Sequence, residues 1–377
     1  MKLPPKITIA DHFSTLKDPR IERSKLHQLI DIITIAVCAV ICGADGWEQI
    51  ELYGKAKHNW FSQFLALPNG IPSHDTFARV FARIDPEEFQ QCFIDWIKAI
   101  SKLTNGEVIA IDGKTLCNSY DTASSQSAIH MVSAWATANR LVLGQVKVDD
   151  KSNEITAIPE LLKILDVAGC IVTIDAMGCQ KDIAKLIIER QADYILTVKQ
   201  NQGYLYKDIE QLFKQAQKNQ FQGIDHSYYE TINKNHGRLE IRRCWLLSNV
   251  AELIDTDNNW SNLFSVGVVE SERRIRGKIE QETRYYISSI QHQNAKLFGQ
   301  AVRSHWEVEN RLHWVLDVTF NEDNSRIRSD NAPQNFAVIR HIAVNLLNQE
   351  KSRKLSLNNK RYLASMDDDY LLRILSS

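Results

Sequence analysis

The 377-residue sequence has no excess of charge of either sign, since 45 Lys and Arg residues face 46 Asp and Glu residues and leave a formal net charge of −1. A strongly basic balance is the usual mark of a nucleic-acid-binding chain, so the overall count by itself argues against that class. Hydrophobic residues make up 44% and charged residues 24% of the chain. This ordinary balance excludes a disordered or collagen-like protein and is typical of a chain with two or three globular cores.

The sequence also lacks a cysteine framework, a long hydrophobic run and a secretory signal. Its seven cysteines form no CxxC pair and lie beside no histidine at zinc-finger spacing, which predicts reduced thiols in a cytosolic protein. The longest apolar run, 32–42, is too short to cross about 30 Å of hydrocarbon and predicts a buried core helix. The first residues show no apolar segment followed by a cleavage site. We therefore expect a soluble, cytoplasmic protein.

The first hundred residues have the hydrophobic period of helices. Apolar residues recur at helical spacing in 27–42 and 87–103, which predicts a helical N-terminal domain over 1–100. The segment 70–84 contains a turn and a predicted N-cap at Ser73, followed by a short helix. This helix could read DNA in a helix-turn-helix or could be a packed module that positions the next domain, and the second interpretation is favoured.

From Val108 onward, short apolar runs alternate with helical segments in the order β-β-β-α-β-α-β. A meander followed by alternating units predicts a mixed α/β sheet flanked by helices, and this order is that of the ribonuclease-H-like fold. We predict such a catalytic domain over 101–345, with a β-rich insertion at about 220–290 before the chain returns to helix. A short helical tail is expected over 346–377.

Two aspartates follow buried strands of this predicted sheet. Asp112 comes directly after VIAI and Asp175 directly after IVTI, each with a glycine close behind. Carboxylates at the ends of neighbouring strands would converge and repel each other unless a cation lies between them. Mg²⁺ or Mn²⁺ is the natural partner of such oxygen ligands. Either Asp alone is equally typical of a turn, but the two together favour a metal site.

A third carboxylate is expected from the helix after the insertion. Glu309 shares a helix face with His305, Trp306, Leu312 and His313, where an acidic group is costly to bury without a partner. Glu307 lies on another side and can be solvated, so Glu309 is the better ligand. The alternative is that Glu309 is partly exposed and pairs with a neighbouring arginine, either Arg303 or Arg311.

These residues belong to longer segments that resemble the H-repeat-associated insertion-sequence transposases of bacteria, a branch of the DDE transposases. The resemblance runs from end to end of the chain and includes GIPSHDTFARVF, AIDGKTL, TIDAMGCQ, ADYILTVKQNQ and HWEVENRLHWVLDVTFNEDNSRIR. It implies that Asp112, Asp175 and Glu309 are the catalytic residues and bind two Mg²⁺ or Mn²⁺ ions. By the same resemblance, Asp112 would bridge the two ions, with Asp175 on one and Glu309 on the other.

The sequence departs from the pattern of many related enzymes in one respect. Where they carry Tyr, Arg and Lys around the catalytic Glu, this chain has Val302, His305 and Leu316. The basic and aromatic roles are therefore expected to pass to Arg303, His305 and His313. A histidine that only packs or caps is an equally acceptable interpretation.

The implied activity is metal-dependent cleavage of DNA at insertion-sequence ends and strand transfer into target DNA by in-line displacement at phosphorus. The implied partners are double-stranded DNA, both terminal inverted repeats and target, and a second copy of the chain on that DNA, since two ends must be paired. DNA binding would associate the protein with the nucleoid. Two alternatives stay open, an inactive or domesticated relative that only binds DNA and a nuclease of the same fold. An aspartyl phosphatase is disfavoured because neither strand carries Asp-x-Asp.

Several basic residues are candidates for contact with DNA phosphates, although alternating Arg and apolar residues are also typical of any half-exposed sheet. Binding through them should weaken steeply with salt. The candidates are Lys114, Lys199, Lys234, His236, Arg238, Arg242, Arg243, Arg273, Arg274, Arg303, His305, Arg326 and Arg328, with Gln200, Arg276, Lys278 and Arg340 beside them.

Overall fold

The computed structural model describes residues 8–120, 127–149, 152–235, 237–275 and 277–377. Nine strands within these ranges form one sheet. They are β1 (Val108–Thr115), β2 (His130–Ala136), β3 (Leu141–Lys147), β4 (Ile171–Ile174), β5 (Asp193–Val198), β6 (His226–Asn235), β7 (Arg238–Ser248), β8 (Ser265–Ile275) and β9 (Lys278–Ser288).

Helices precede, interrupt and follow the sheet. The first group is α1 (Thr8–Phe13), α2 (Leu29–Ile41), α3 (Trp47–Ala56), α4 (His58–Phe61), α5 (His74–Arg83) and α6 (Pro86–Ile100). Between strands lie α7 (Glu154–Ile164), α8 (Lys181–Glu189), α9 (Gly203–Lys218) and α10 (Ala251–Ile254). After the sheet come α11 (Ala295–Glu307), α12 (Trp314–Val318), α13 (Ala332–Gln349), α14 (Leu357–Met366) and α15 (Asp368–Leu375), with a π-helical turn, Val308–His313, between α11 and α12.

The strand order in the sheet is β3-β2-β1-β4-β5-β9-β8-β7-β6. The strands β1, β4 and β5 are parallel, and the other neighbouring pairs are antiparallel. The predicted mixed α/β sheet flanked by helices is therefore confirmed. The β-rich segment predicted at about 220–290 extends this same sheet, because β9 pairs with β5 and carries β8, β7 and β6 with it.

Local sequence signals start several of the N-terminal helices. The Ser73 side chain accepts a hydrogen bond from the Thr76 amide at the start of α5, and Asp85 caps α6 directly before Pro86. The helix α2 is buried from Asp31 to Ile41, as predicted for the apolar run 32–42. In the part of the chain that the structure describes, no helix combines the length and the apolar character needed to span a bilayer.

The apolar side of α5 faces the protein interior. Phe77, Val80 and Phe81 are buried, and the Phe81 ring stacks on Trp47 with centroids 5.2 Å apart. The Asn335 side chain of α13 donates hydrogen bonds to the carbonyls of Phe81 (2.8 Å) and Ile84 (3.0 Å). This packing is what the packed-module interpretation requires, while DNA reading by α5 stays a hypothesis.

The two faces of the sheet are covered by different helices, and β1 shows how. Successive strand residues point to opposite faces. Asp112 faces the π-helical turn, with its Oδ2 3.6 Å from His313 Nδ1. The next residue, Gly113, faces α7, where a Cβ would lie 2.1 Å from Glu154 Oε1. Catalytic candidates and α7 therefore lie on opposite sides of the sheet.

One buried apolar cluster runs through the protein. It contains residues of the N-terminal helices such as Phe61, residues of the sheet such as Trp135, and Leu371 of the C-terminal α15. An ion pair of 2.6 Å between Lys57 and Asp368 also joins the first and last helical segments. The predicted domain boundaries stay a prediction, and the three segments share this core.

The close approach of α11 to the sheet depends on Gly267 of β8. A Cβ on this residue would lie 2.0 Å from Cζ of Phe298, which is 1% exposed. We expect Gly267→Ala to destabilise the protein by about 1–3 kcal/mol, the usual cost of overpacking a core. Chemical denaturation measures this difference.

The matched control is Gly203→Ala at the start of α9, where nothing lies within 4 Å of the added Cβ. Alanine is the better helix former by about 1 kcal/mol, so this variant should be as stable as the parent or slightly more so. Equal stability of the two variants would contradict the proposed close packing.

Candidate active site

The parallel pairing of β1 with β4 brings the two aspartates to one end of the sheet. Ile111 is the register partner of Ile174, so Asp112 and Asp175 each follow a paired isoleucine. Neighbouring strands lie about 4.8 Å apart, which makes the two residues neighbours across the sheet. The strand β1 continues to Thr115, beyond the predicted end, because its outer half also pairs with β2.

Glu309 reaches this end of the sheet from the π-helical turn after α11. Such turns are rare and occur frequently at functional sites. Its Oε2 lies 3.7 Å from His313 Nδ1, and Oδ2 of Asp112 lies 3.6 Å from the same nitrogen. A ligand atom from each of Asp112, Glu309 and His313 lies within 4.8 Å of the others. The structure thus brings the predicted carboxylates of Asp112 and Glu309 into one compact group with His313.

The alternative of a surface ion pair applies to the neighbouring glutamate instead. Glu307 Oε2 lies 2.9 Å from Arg311 Nε one turn further along the helix. The Glu309 side chain is 54% exposed, and its ionic contact of 3.7 Å is to His313. The Glu307 side chain is 34% exposed, so the two glutamates have different partners, but the expectation that Glu309 is the more buried of the two is wrong.

Asp175 is held by its own turn. Its Oδ1 accepts hydrogen bonds from the amides of Met177 (2.9 Å) and Gly178 (3.3 Å). Its side chain lines a cavity of about 170 Å³ together with Asp112 and Glu309. Asp175 is outside the compact group of Asp112, Glu309 and His313 but opens onto the same space. One cavity therefore contains all three predicted carboxylates.

The carboxylates perturb each other's ionisation. Burial raises the pKa of Asp112 to about 7, the Glu309 charge adds to this rise, and His313 opposes it. His313 in turn is the main cause that holds the pKa of Glu309 below its ordinary value. Two acidic groups that approach each other at a buried site are stabilised by a cation between them.

The donor set fits a hard divalent cation. It consists mainly of carboxylate oxygens, which Mg²⁺ and Mn²⁺ prefer, with one imidazole nitrogen at the edge. Within the described ranges, the second oxygen of Asp175 has no hydrogen-bonding partner and is free to bind an ion.

The other predicted helix residues lie differently around the cavity. His305 Nδ1 lies 3.0 Å from the Thr173 hydroxyl of β4, and burial lowers the pKa of this imidazole. This contact agrees with the alternative in which His305 packs within the protein. The His305 ring also lines the cavity. Arg303 is exposed on the same helix.

Sequence reasoning missed the arginine that lies inside the cavity. Arg284 of β9 lines it together with Tyr286 and Trp306. Its guanidinium carbon lies 4.7 Å from the Trp306 ring centroid, and its Nε donates to Glu282 at 2.7 Å. The pairing of β9 with β5, in which Thr197 faces Tyr286, brings Arg284 to the site. No spacing in the sequence predicts this pairing, because about eighty residues separate the two strands.

Two predicted phosphate ligands are engaged inside the protein. Lys114 Nζ lies 2.6 Å from Asp317, 3.1 Å from Glu322 and 3.0 Å from Asp323, and the side chain is 10% exposed. An ammonium has three donors, so three carboxylates leave it none for DNA. Arg340 is 2% exposed and contacts Glu322, and the predicted DNA contact of Arg340 is therefore wrong. Lys199 is exposed and lines the cavity.

The two predicted basic clusters of the insertion meet at one end of the antiparallel strands. Glu240 of β7 is the register partner of Arg273 of β8. Arg238 and Arg242 lie 2.9 Å and 3.0 Å from Glu240, and Arg273 lies 3.9 Å from it. Most of these arginines are therefore already paired within the protein.

The remaining candidates vary in exposure. Arg243 and Arg274 both contact Glu272, at 3.7 Å and 2.5 Å. Arg328 donates to the Asn118 carbonyl at 2.9 Å. Lys234, Gln200, Lys278 and Arg326 are exposed, and His236 and Arg276 lie outside the described residues.

Residues 104–346 match the family model described as "Transposase DDE domain", and residues 10–97 match the model "DDE_Tnp_1-associated". "H repeat-associated putative transposase YhhI" of Escherichia coli (strain K12) is 45% identical over 372 residues, which cover 98% of this chain and 97% of that protein. "Putative transposase YncI" of Escherichia coli O157:H7 is 43% identical over 374 residues, covering 98% and 95%.

A solved structure of low similarity also matches. The piggyBac transposase synaptic complex with hairpin DNA aligns with a TM-score of 0.41 and 11% identity, covering 98% of this chain and 78% of that one. Likeness at this level supports no conclusion about fold or function.

Because the carboxylates repel each other, Mg²⁺ or Mn²⁺ should stabilise the folded protein. A ligand at 100 times its Kd adds about 2.7 kcal/mol to the free energy of unfolding. We expect the metal-dependent rise in Tm to be lost in Asp112→Asn and retained in Glu307→Gln, which removes a carboxylate from the other side of the same helix. An equal metal-dependent rise in Asp112→Asn, measured by thermal denaturation with and without EDTA, would contradict this assignment.

Proposed function

Because this chain belongs to the family of transposases with a DDE domain, we propose that it cuts DNA at the ends of an insertion sequence and joins them to target DNA. The observation that carries the proposal is the single cavity lined by Asp112, Asp175 and Glu309. The partners are double-stranded DNA, as terminal inverted repeats and as target. A homodimer on DNA follows from the need to pair two ends, and the protein acts in the cytoplasm at the nucleoid.

The proposed catalytic domain is ribonuclease-H-like. In support, the order β3-β2-β1-β4-β5 combines an antiparallel meander with parallel β1, β4 and β5. We assign 1–100 to the N-terminal helical domain, 101–345 to the catalytic domain and 346–377 to the C-terminal helices. The carboxylates lie at the carboxyl ends of the parallel strands, where open α/β sheets bind their ligands.

Asp112, Asp175 and Glu309 are the proposed ligands of two Mg²⁺ or Mn²⁺ ions, with Asp112 shared between them. When bound, such ions activate a water or DNA 3′-hydroxyl and stabilise the leaving oxygen of an in-line displacement. Contacts within the chain already orient two of these carboxylates. The Asp175 turn fixes one carboxylate oxygen and leaves the other free, and the π-helical turn points Glu309 at Asp112.

The proposed phosphate-binding residues at the cavity are Arg284 and Lys199. The contacts of Arg284 with Glu282 and the Trp306 ring hold its guanidinium at the cavity wall. A planar guanidinium suits two oxygens of one phosphate. Arg284 thereby supplies from β9 the positive charge that related enzymes carry on the helix, where this chain has His305. Lys199 adds a second exposed charge at the end of β5.

The first test compares variants of two proposed metal ligands with a variant of the neighbouring Glu307. A duplex with the gene's own flanking ends is incubated with Mg²⁺ and with EDTA, and nicked and joined products are separated on gels. We expect Asp112→Asn and Glu309→Gln to lose cleavage and keep DNA binding, because only the metal ligands change. Glu307→Gln, whose parent side chain pairs with Arg311, should cleave normally.

Each other result has a definite meaning. Full cleavage by Glu309→Gln would refute the assignment of this residue. Cleavage by the parent chain without joined product would indicate a nuclease, and binding without cleavage in either metal would indicate an inactive relative.

The second test addresses Arg284. Loss of one positioned charge at a reacting group typically lowers the rate by about 100- to 1000-fold. We therefore expect Arg284→Ala to slow cleavage of saturating DNA by this order, with partial recovery in Arg284→Lys. Lys278→Ala removes a charge from the exposed start of the same strand and should weaken binding at most. An unchanged cleavage rate in Arg284→Ala would show that the residue only packs against Trp306.

A further inference from the structure

A second concave surface lies on the other side of the helix that carries Glu309. It is a groove of about 720 Å³ between that helix, the end of α13 and the segment 350–357. In the described chain it shares no lining residue with the catalytic cavity. Its basic residues are Arg140, Arg311, Lys351, Arg353, Lys354 and Lys360, and we call it the 351–354 groove.

The groove has a large excess of unpaired positive charge. Six basic residues line it against one acidic residue, Glu350. The Glu350 carboxylate is engaged by Lys360 at 3.6 Å and by the Tyr370 hydroxyl at 2.8 Å, and Arg311 is paired with Glu307. Among the described residues, no carboxylate lies within ion-pair distance of Arg140, Lys351, Arg353 or Lys354. Four positive charges therefore share one concave surface without a counter-charge.

This concentration of charge has an internal cost. Partial burial lowers the pKa of Lys351, and repulsion by Lys360 and Arg140 lowers it further. Glu350 offsets this repulsion only in part, and like charges that are held together destabilise the free protein. An anionic partner would relieve that repulsion.

The predicted basic surface of the insertion differs sharply. Its described ends, 230–235, 237–243, 270–275 and 277–282, contain seven Lys and Arg residues against six Glu residues, a net charge of +1. Arginines in this region are paired with Glu230, Glu240, Glu272 or Glu282. By charge, the 351–354 groove is the stronger candidate for binding a polyanion.

The groove also has features suited to nucleic acid. Trp314 is 56% exposed beside the basic residues, and Val318 and Leu355 are exposed near it. The N-terminus of α14 opens into the groove with Ser356 and Leu357 and adds partial positive charge there. Exposed aromatic and guanidinium groups together are typical of nucleic-acid-binding surfaces.

We propose that the 351–354 groove binds the phosphate backbone of the DNA duplex beside the cleavage position, independently of base sequence. The inference rests on the proposed function, since it takes DNA as the substrate. The cavity and the groove are lined by different sides of one helical segment, and a helix with its side chains is about 10–12 Å across. A DNA duplex carries one negative charge per roughly 1.7 Å of its axis. A duplex that runs from the catalytic cavity across the Glu309 helical segment would therefore present several phosphates to the groove.

The test neutralises the groove without touching the catalytic residues. The variant is Lys351→Gln/Arg353→Gln/Lys354→Gln, and the matched control is Lys185→Gln/Lys207→Gln/Lys214→Gln on α8 and α9, outside the groove. Binding of an end-containing duplex and of a random duplex of equal length is measured over a range of salt. Each lost phosphate contact should reduce the slope of log K against log salt by about 0.9.

For the groove variant we expect the slope of log K against log salt to fall in magnitude by about two to three. Its affinity at low salt should fall at least tenfold, equally for both duplexes. The control should change by less than one in slope, and Lys351→Arg/Lys354→Arg should bind like the parent.

Three results would overturn the proposal. The first is unchanged salt dependence in the groove variant, and the second is a loss confined to the end-containing duplex, which would mean sequence reading. The third is altered self-association by sedimentation with unchanged DNA binding, which would make the groove a contact between copies of the chain. Failure of the parent chain to cleave DNA would refute the proposed activity, while the binding measurements would still test the groove.

Discussion

The candidate site depends on the parallel pairing of β1 with β4. This pairing sets Ile111 opposite Ile174 and so places Asp112 and Asp175 side by side at one end of the sheet. Every other part of the site is built onto this pair. The π-helical turn after α11 brings Glu309 to one face, and β9, through its pairing with β5, brings Arg284 from the insertion. A shift of one residue in the register would turn one carboxylate to the opposite face, where α7 packs.

A second constraint is electrostatic, and it separates two groups of acidic residues that lie near each other on the same face of β1. Asp112 and Glu309 face the cavity, and among the described residues the basic side chain within 4 Å of both is His313. Two residues along the strand, Lys114 occupies Asp317, Glu322 and Asp323, while the buried Arg340 also contacts Glu322. Removing one partner from such a buried ion-paired group leaves an uncompensated charge and is strongly destabilising, so these ion pairs hold the segments that carry them together. The protein thus neutralises one acidic group internally and leaves the other open to a cation.

The near-zero net charge of the chain is a sum over surfaces of very different character. The insertion balances its arginines with glutamates, and the 351–354 groove has basic residues with little to balance them. A total of −1 therefore carries no information about whether a local surface binds a polyanion. Charge must be counted per surface, and only the folded chain defines those surfaces.

The family, the mixed sheet and the candidate carboxylates are all recognisable in the amino-acid sequence. The resemblance to H-repeat-associated transposases is confirmed by the family model over 104–346 and by relatives along the whole chain. The order of strands and helices along the chain as far as β5 was readable because short apolar runs alternate with helical segments, and the choice of Glu309 over Glu307 was made from helical spacing. These signals are local, and a period of two or 3.6 residues carries them.

Which charged side chains are paired and which are free depends on contacts that form only in the folded chain. Lys114 and Arg340 look like surface cations in the sequence, but acidic residues from a distant loop surround them. Arg284 reaches the cavity only because β9 pairs with β5, and Arg140 joins Lys351 and Lys354 only because the β2–β3 turn meets the end of α13. Contacts between residues far apart in the chain leave no period in the sequence. Pairing, burial and exposure of charge all depend on such contacts, and for that reason they are properties of the fold.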